Sequence, residues 1–117
     1  MTSRAPGVAR DEAANWLDTL DVDPAVRRDV LVAVSELVTN AITHAAASPR
    51  VQLSAIDGQL RVEVHDSSAE EPVRKRGSAT GGFGVQVVAA LADSWGWAPT
   101  AGGKVVWAEF ATEPASG

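Results

Sequence analysis

Residues 35–44 read SELVTNAITH, and they sit inside a longer apolar-periodic run that opens at Asp23-Pro24 and ends near Ala45. Val26, Val30, Leu31, Val34, Leu37, Val38, Ala41, Ile42 and Ala45 recur at helical spacing, which lines one side of an amphipathic helix. Asp23 suits the N-cap, and Pro24 the first helical position, where its missing N–H costs nothing. Ser48-Pro49 closes the segment, because the residue before a proline is pushed out of the helical region. Opposite the apolar stripe, Glu36, Asn40 and His44 stand at i, i+4 and i+8, one above another. Such a row serves either as a solvated polar face or as a proton-accepting base beside a hard-cation ligand. The helix alone leaves both readings open.

Outward from this helix the chain alternates between the two regular periods. Towards the amino terminus, residues 9–20 carry Ala13, Ala14, Trp16, Leu17 and Leu20, a first helix with acidic residues near its start. Residues 1–8, with Pro6 and Gly7, read as a loose tail. After the long helix, Val51, Leu53 and Ala55 alternate with Gln52 and Ser54, a half-buried strand. Asp57-Gly58 is a two-residue hairpin signal, since both central positions of a type I′ turn need positive φ. Leu60, Val62 and Val64 then alternate with Arg61, Glu63 and His65 in the returning strand, with His65 on its polar side. Residues 67–81 form a polar segment with Glu70, Glu71, Pro72 and a basic run at Arg74, Lys75 and Arg76; a loop of that length inside a small domain is usually functional or disordered. Val85, Val87, Val88, Leu91, Ala92 and Trp95 predict a third helix with Gly96 at its terminus, residues 99–103 a turn, and residues 104–111 a last strand. Residues 112–117 read as a short tail. No repeat and no second domain is visible, so residues 1–117 are expected to form one α+β domain: a two-layer sandwich of a mixed or antiparallel sheet with three helices on one face.

Composition narrows the function. The 117 residues have 45% hydrophobic content and no cysteine, which excludes a disulfide framework and a thiolate metal site and fits a cytoplasmic protein. Two histidines are too few to suggest zinc without other ligands. A net charge of −5 lacks the footprint of a DNA binder. No apolar run approaches the roughly 20 residues of a membrane span, and the amino terminus has no signal-peptide core. Proteins and small molecules remain as partners.

Three motifs carry the chemistry: Glu36 and Asn40 on the long helix, Asp66-Ser67-Ser68 at the end of an interior strand, and Gly82-Phe83-Gly84 opening a helix after a long loop. A glycine-rich turn before a helix lets backbone N–H groups approach phosphate, and the helix dipole favours the anion. Singly each motif is weak; their order and spacing are specific. From about Val8 to Phe110 the chain resembles the GHKL superfamily of ATP-binding domains, which includes gyrase and the histidine kinases. Within it, the likeness is to small stand-alone domains similar to anti-sigma-factor serine kinases. ELVTNAITHA looks like that family's N box, HDSS its first glycine box, GGFGVQVVAALADSWGW its second, and GGKVVWAEF its closing strand.

The resemblance implies a Bergerat-type ATP-binding fold with ATP and Mg²⁺ as cofactors. It makes Glu36 the general base that activates an attacking hydroxyl and Asn40 the Mg²⁺ ligand. Asp66 would accept a hydrogen bond from the adenine amino group, and Gly82 and Gly84 would cradle phosphates. His44, Ser68, Phe83 and Val85 would complete the nucleotide contacts, with residues 67–81 as a mobile lid. The implied activity is that of a protein serine kinase acting on an anti-sigma-factor antagonist of the STAS type, with a sigma factor as another partner and a homodimer as a possible state. Three positions depart from the family's pattern: Ser68 stands where a Gly is usual, Val105 where a Thr near the adenine is frequent, and Thr43 where the N box often has Arg or Lys. Each weakens an adenine or phosphate contact. They therefore support a rival, a non-catalytic module of the same fold that binds a sigma factor or antagonist. A second rival, the ATP-binding half of a sensor kinase, lacks a dimerisation helix with a phospho-accepting His.

Overall fold

Asp23 starts the long helix as its side chain predicts. Ala25 N–H donates to Asp23 Oδ1 at 2.8 Å, which satisfies one of the donors left open at a helix start, and Arg27 N–H donates to the Asp23 carbonyl at 2.9 Å in the first intrahelical bond. The computed structural model describes residues 6–44, 49–67 and 84–112. Across these residues the chain forms α1 (Pro6–Leu17), α2 (Pro24–His44), β1 (Arg50–Ile56), β2 (Gln59–Asp66), α3 (Gly84–Leu91), β3 (Ser94–Thr100) and β4 (Gly103–Ala111). The strands form one sheet in the order β1-β2-β4-β3, and every neighbouring pair is antiparallel. Asp57 and Gly58 both have positive φ, 51° and 79°, which is the backbone a two-residue hairpin turn requires.

The two periods meet in one core. Leu60, Val62 and Val64 of β2 and Val106, Ala108 and Phe110 of β4 face the helices, where they pack with Val30, Val34, Leu37, Val38 and Ala41 of α2. Each fully buried Val or Leu of this kind contributes about 1.5–3 kcal/mol. α2 lies against β2 and β4, and α1 and α3 pack on α2. The opposite face of the sheet carries Arg61, Glu63 and His65 on β2 and Val105, Trp107 and Glu109 on β4, by strict alternation. The architecture is the α+β sandwich expected, with a purely antiparallel sheet.

Two boundaries differ from the sequence reading. α1 begins at Pro6 and ends at Leu17, three residues ahead of the expected helix at each end. Thr19 closes it, donating from its hydroxyl to the Trp16 carbonyl at 2.6 Å. The third helix does not run to Trp95. It stops at Leu91, and Trp95, Gly96, Trp97 and Pro99 belong to β3. The reason is the pairing partner. Trp95 and Trp97 lie opposite Ala108 and Val106 and reach the core from there. Gly96 lies opposite Trp107, whose ring fills the space a Cβ would need, with Cζ2 only 2.5 Å from that position. Pro99 is tolerated because β3 is an edge strand.

Candidate functional site

The row read on the long helix is half-buried. Arg28, Val32, Glu36 and Asn40 follow one another at i+4 spacing along α2, with Cβ atoms about 5–6 Å apart. Arg28 is exposed, and Val32, Glu36 and Asn40 are partly covered. Glu36 borders a groove of about 420 Å³ between α1 and α2, whose wall includes Arg10, Arg27, Arg28, Leu31 and Ser35. Arg27 is held by Asp18 at 3.2 Å. Its Nε and the Ser35 Oγ are buried with no hydrogen-bond partner among the described residues. A carboxylate thus stands at the edge of a concavity rimmed by guanidinium groups.

Asp66 ends β2 in phase with Leu60, Val62 and Val64, so it lies on the helix-facing side of the sheet and is buried. Its Cα partner across the β2–β4 ladder is Lys104. The Lys104 ammonium donates to Asp66 Oδ1 at 3.2 Å and lies 3.1 Å from Oδ2, with both side chains only 1% exposed. Removing one member of such a pair leaves an uncompensated buried charge, at a cost of about 3–5 kcal/mol. Gly103 passes so close to the backbone of Asp66 and Ser67 that a Cβ there would overlap the Asp66 carbonyl oxygen. The start of β4 is thereby clamped against the end of β2.

Arg50 pairs with His65, and Arg50 follows His44, the last residue of α2, by six residues. That link spans at most about 22 Å, which bounds the distance from the carboxyl-terminal end of α2 to the start of β1, where Arg50 lies opposite the residue that precedes Asp66. Asn40 lies one turn before the helix end. Gly84 and Val85 open α3, which packs on α2. Ser68, Gly82 and Phe83, most of the expected lid, and the side chains of His44 and Val85 lie outside the described residues.

The residue that sequence reasoning missed is Lys104. Its signal was present: Lys104 stands in phase with Val106, Ala108 and Phe110, the core-facing side of β4, as Asp66 does with the apolar side of β2. Two opposite charges in phase with two facing apolar rows mark a buried pair once the register is known. By contrast, the polar face of the sheet holds a network that joins no expected site residue. Arg61 donates to Glu63 at 2.7 Å and to Glu109 at 2.9 Å, and stacks 4.5 Å above the centroid of Trp107. His65 meets Glu63 at 3.0 Å, and the Ser94 hydroxyl donates to Glu109 at 2.9 Å. The hydrogen bond from Arg61 is the main reason the Glu63 carboxyl titrates below its ordinary value of 4.5; burial opposes it and His65 adds to it.

The donor chemistry at the α2 end suits a hard cation held mainly by other ligands. Among the described residues no group of three or more His, Cys, Asp or Glu gathers at one point. Asn40 offers one neutral oxygen, enough where Mg²⁺ keeps its waters and takes phosphate oxygens. The Asp66 end suits adenine less well, because the carboxylate meant to accept the amino group already holds an ammonium. No described helix is long and apolar enough to cross a membrane.

Comparison with known proteins gives a consistent family. The family described as "Histidine kinase-like ATPase domain" matches residues 2–110. No curated protein matches. Among solved structures, the chain is similar to one of the RsbU and RsbW domains of Rv1364c from Mycobacterium tuberculosis, with 24% identity and a TM-score of 0.72 over 94% of this chain and 30% of that one. It is also similar to the histidine kinase domain of the blue-light activated histidine kinase from Erythrobacter litoralis EL346, with 24% identity and a TM-score of 0.60 over 95% of this chain and 64% of that one. The chain thus spans less than two thirds of either neighbour, and at this identity the likeness is one of fold.

Proposed function

The chain belongs to the histidine kinase-like ATPase domain family, and from that premise we propose that it binds ATP with Mg²⁺ and phosphorylates a serine of a regulatory partner protein. The observation that carries this reading is the half-buried pair Glu36 and Asn40, one turn apart on α2, with Glu36 at the edge of the groove between α1 and α2. When bound, ATP supplies the phosphoryl group and Mg²⁺ draws charge from its phosphate oxygens. Asn40 would hold the metal. Glu36 would take the proton from the attacking serine hydroxyl, and one turn of helix keeps base and metal ligand within reach of one phosphate. The N–H groups that open α3, with Gly82 and Gly84, would meet the phosphates. Asp66 marks the base end of the site.

A protein substrate is favoured over a small one by the groove itself. The guanidinium groups of Arg10, Arg27 and Arg28 stand along its wall with Glu36, which suits an acidic segment next to the target serine. The partner class in this reading is an anti-sigma-factor antagonist of the STAS type or a sigma factor, as the sequence resemblance implies. The Rv1364c structure, whose name includes an RsbW domain, is in keeping with a regulatory setting.

A second reading has its own support. With Asp66 held by Lys104, and with Ser68 and Val105 in place of the family's usual residues, the fold also suits a module that binds a partner without transferring phosphate. The test is incorporation of radiolabelled phosphate from ATP into a STAS-type antagonist, run beside a pull-down with the same proteins. Incorporation that depends on Glu36 supports the kinase. A stable complex with no incorporation by the wild-type protein would establish the binding module instead.

A further inference from the structure

We propose that Lys104 is a specificity-determining residue of the nucleotide site, and that its ammonium, by taking the Asp66 carboxylate, makes the site nearly blind to the 6-position of a purine. The inference rests on the nucleotide-binding reading above. Its basis is geometric: Lys104 and Asp66 are register partners at the ends of the two central strands. The ammonium sits 3.1–3.2 Å from both carboxylate oxygens, and neither side chain is more than 1% exposed.

A carboxylate alone accepts from a 6-amino group and repels a 6-oxo group, and this contrast selects adenine. An ammonium has the reverse preference, since it donates to the 6-oxo oxygen and has no lone pair for the amino group. With both charges at one position, each base meets one favourable and one unfavourable partner, and the discrimination cancels. The ammonium donates to Asp66 Oδ1 and lies beside Oδ2, so a base approaching this corner meets the two opposite charges together. Gly103, the neighbour of Lys104, runs so close to the Asp66–Ser67 backbone that a Cβ there would overlap it, which brings the start of β4 close to the carboxylate. The nucleotide is then held through its phosphate end, at α2 and α3.

The test is a calorimetric titration of the whole chain with Mg²⁺-ATP and with Mg²⁺-inosine triphosphate, which differ at the purine 6-position, for wild type and Lys104→Thr. Wild type is expected to bind the two within about threefold of each other. Lys104→Thr removes the ammonium from beside the Asp66 carboxylate and is expected to favour ATP by tenfold or more. A purely structural ion pair would change stability and leave this ratio alone. The inference is overturned if wild type already favours ATP by tenfold, or if the ratio is the same in both proteins. The wild-type ratio needs no variant, so it decides the matter even where Lys104→Thr does not fold. If neither protein binds either nucleotide, the nucleotide-binding reading itself falls, and the inference with it.

Discussion

Glu36 and Asn40 lie one turn apart, yet their removal should have opposite signatures. Glu36→Gln is nearly isosteric on a half-buried helix face, so the fold and most of the nucleotide affinity should persist. Phosphoryl transfer to the partner serine should fall by about 10²–10⁴-fold, the usual worth of a general base. Asn40→Ala should instead weaken Mg²⁺-dependent nucleotide binding by roughly tenfold or more, as loss of a contact to a charged group does. Equal phosphate incorporation by wild type and Glu36→Gln would remove Glu36 from the mechanism. On the other face of the sheet, Glu63 gives a pH prediction. Its carboxyl titrates below 4.5, chiefly through the Arg61 hydrogen bond, so its stabilising contribution is present above that range and is lost as pH falls through the folded-state value. The stability difference between wild type and Glu63→Gln, measured by urea unfolding, should be largest near neutrality and shrink below about pH 4. A difference that stayed constant down to pH 3 would detach Glu63 from the acid limb. At this scale the helix row was legible, because i+4 spacing alone aligns Glu36 with Asn40. Lys104 was not, because its partner lies across a ladder whose register the sequence does not state.

At the scale of elements, local chemistry decided the boundaries wherever it was strong. Asp23-Pro24 and Asp57-Gly58 could be read directly, since a capping carboxylate and a positive-φ turn are properties of a few adjacent residues. Asp23→Ala should therefore cost about 1 kcal/mol, a cap's usual worth, in chemical denaturation. No loss at all would mean that water caps α2 equally well. β3 was misread because Val85, Val87, Val88 and Leu91 set a helical period that Trp95 happens to continue. The strand is dictated from outside the segment, by Ala108 and Val106 opposite the two tryptophans and by the Trp107 ring over Gly96. Gly103 marks a junction of the same non-local kind. Gly103→Ala should lower stability by about 1–3 kcal/mol or more, because the obstruction is backbone and no side chain can swing aside. A variant as stable as wild type would show that β4 can lift away from the β2 end without cost.

For the whole molecule, the antiparallel α+β sandwich follows from α2 packing on β2 and β4, and the family match spans residues 2–110. The fold was largely legible because its two strongest signals, the long amphipathic helix and the Asp-Gly hairpin, lie in its centre. The row of Glu36 and Asn40 on α2 was legible, since helical spacing alone aligns the two. The Asp66–Lys104 pair was not legible, because it forms across the β2–β4 ladder inside the protein. The central claim is that this corner of the sheet and the end of α2 together form a Mg²⁺-dependent ATP site. A calorimetric titration of the whole chain with ATP, with and without Mg²⁺, tests it directly. The account predicts saturable binding at or below millimolar ATP that strengthens with Mg²⁺ and loses this dependence in Asn40→Ala. No binding at millimolar ATP with Mg²⁺ present, or binding that Mg²⁺ and Asn40→Ala leave unchanged, would contradict it.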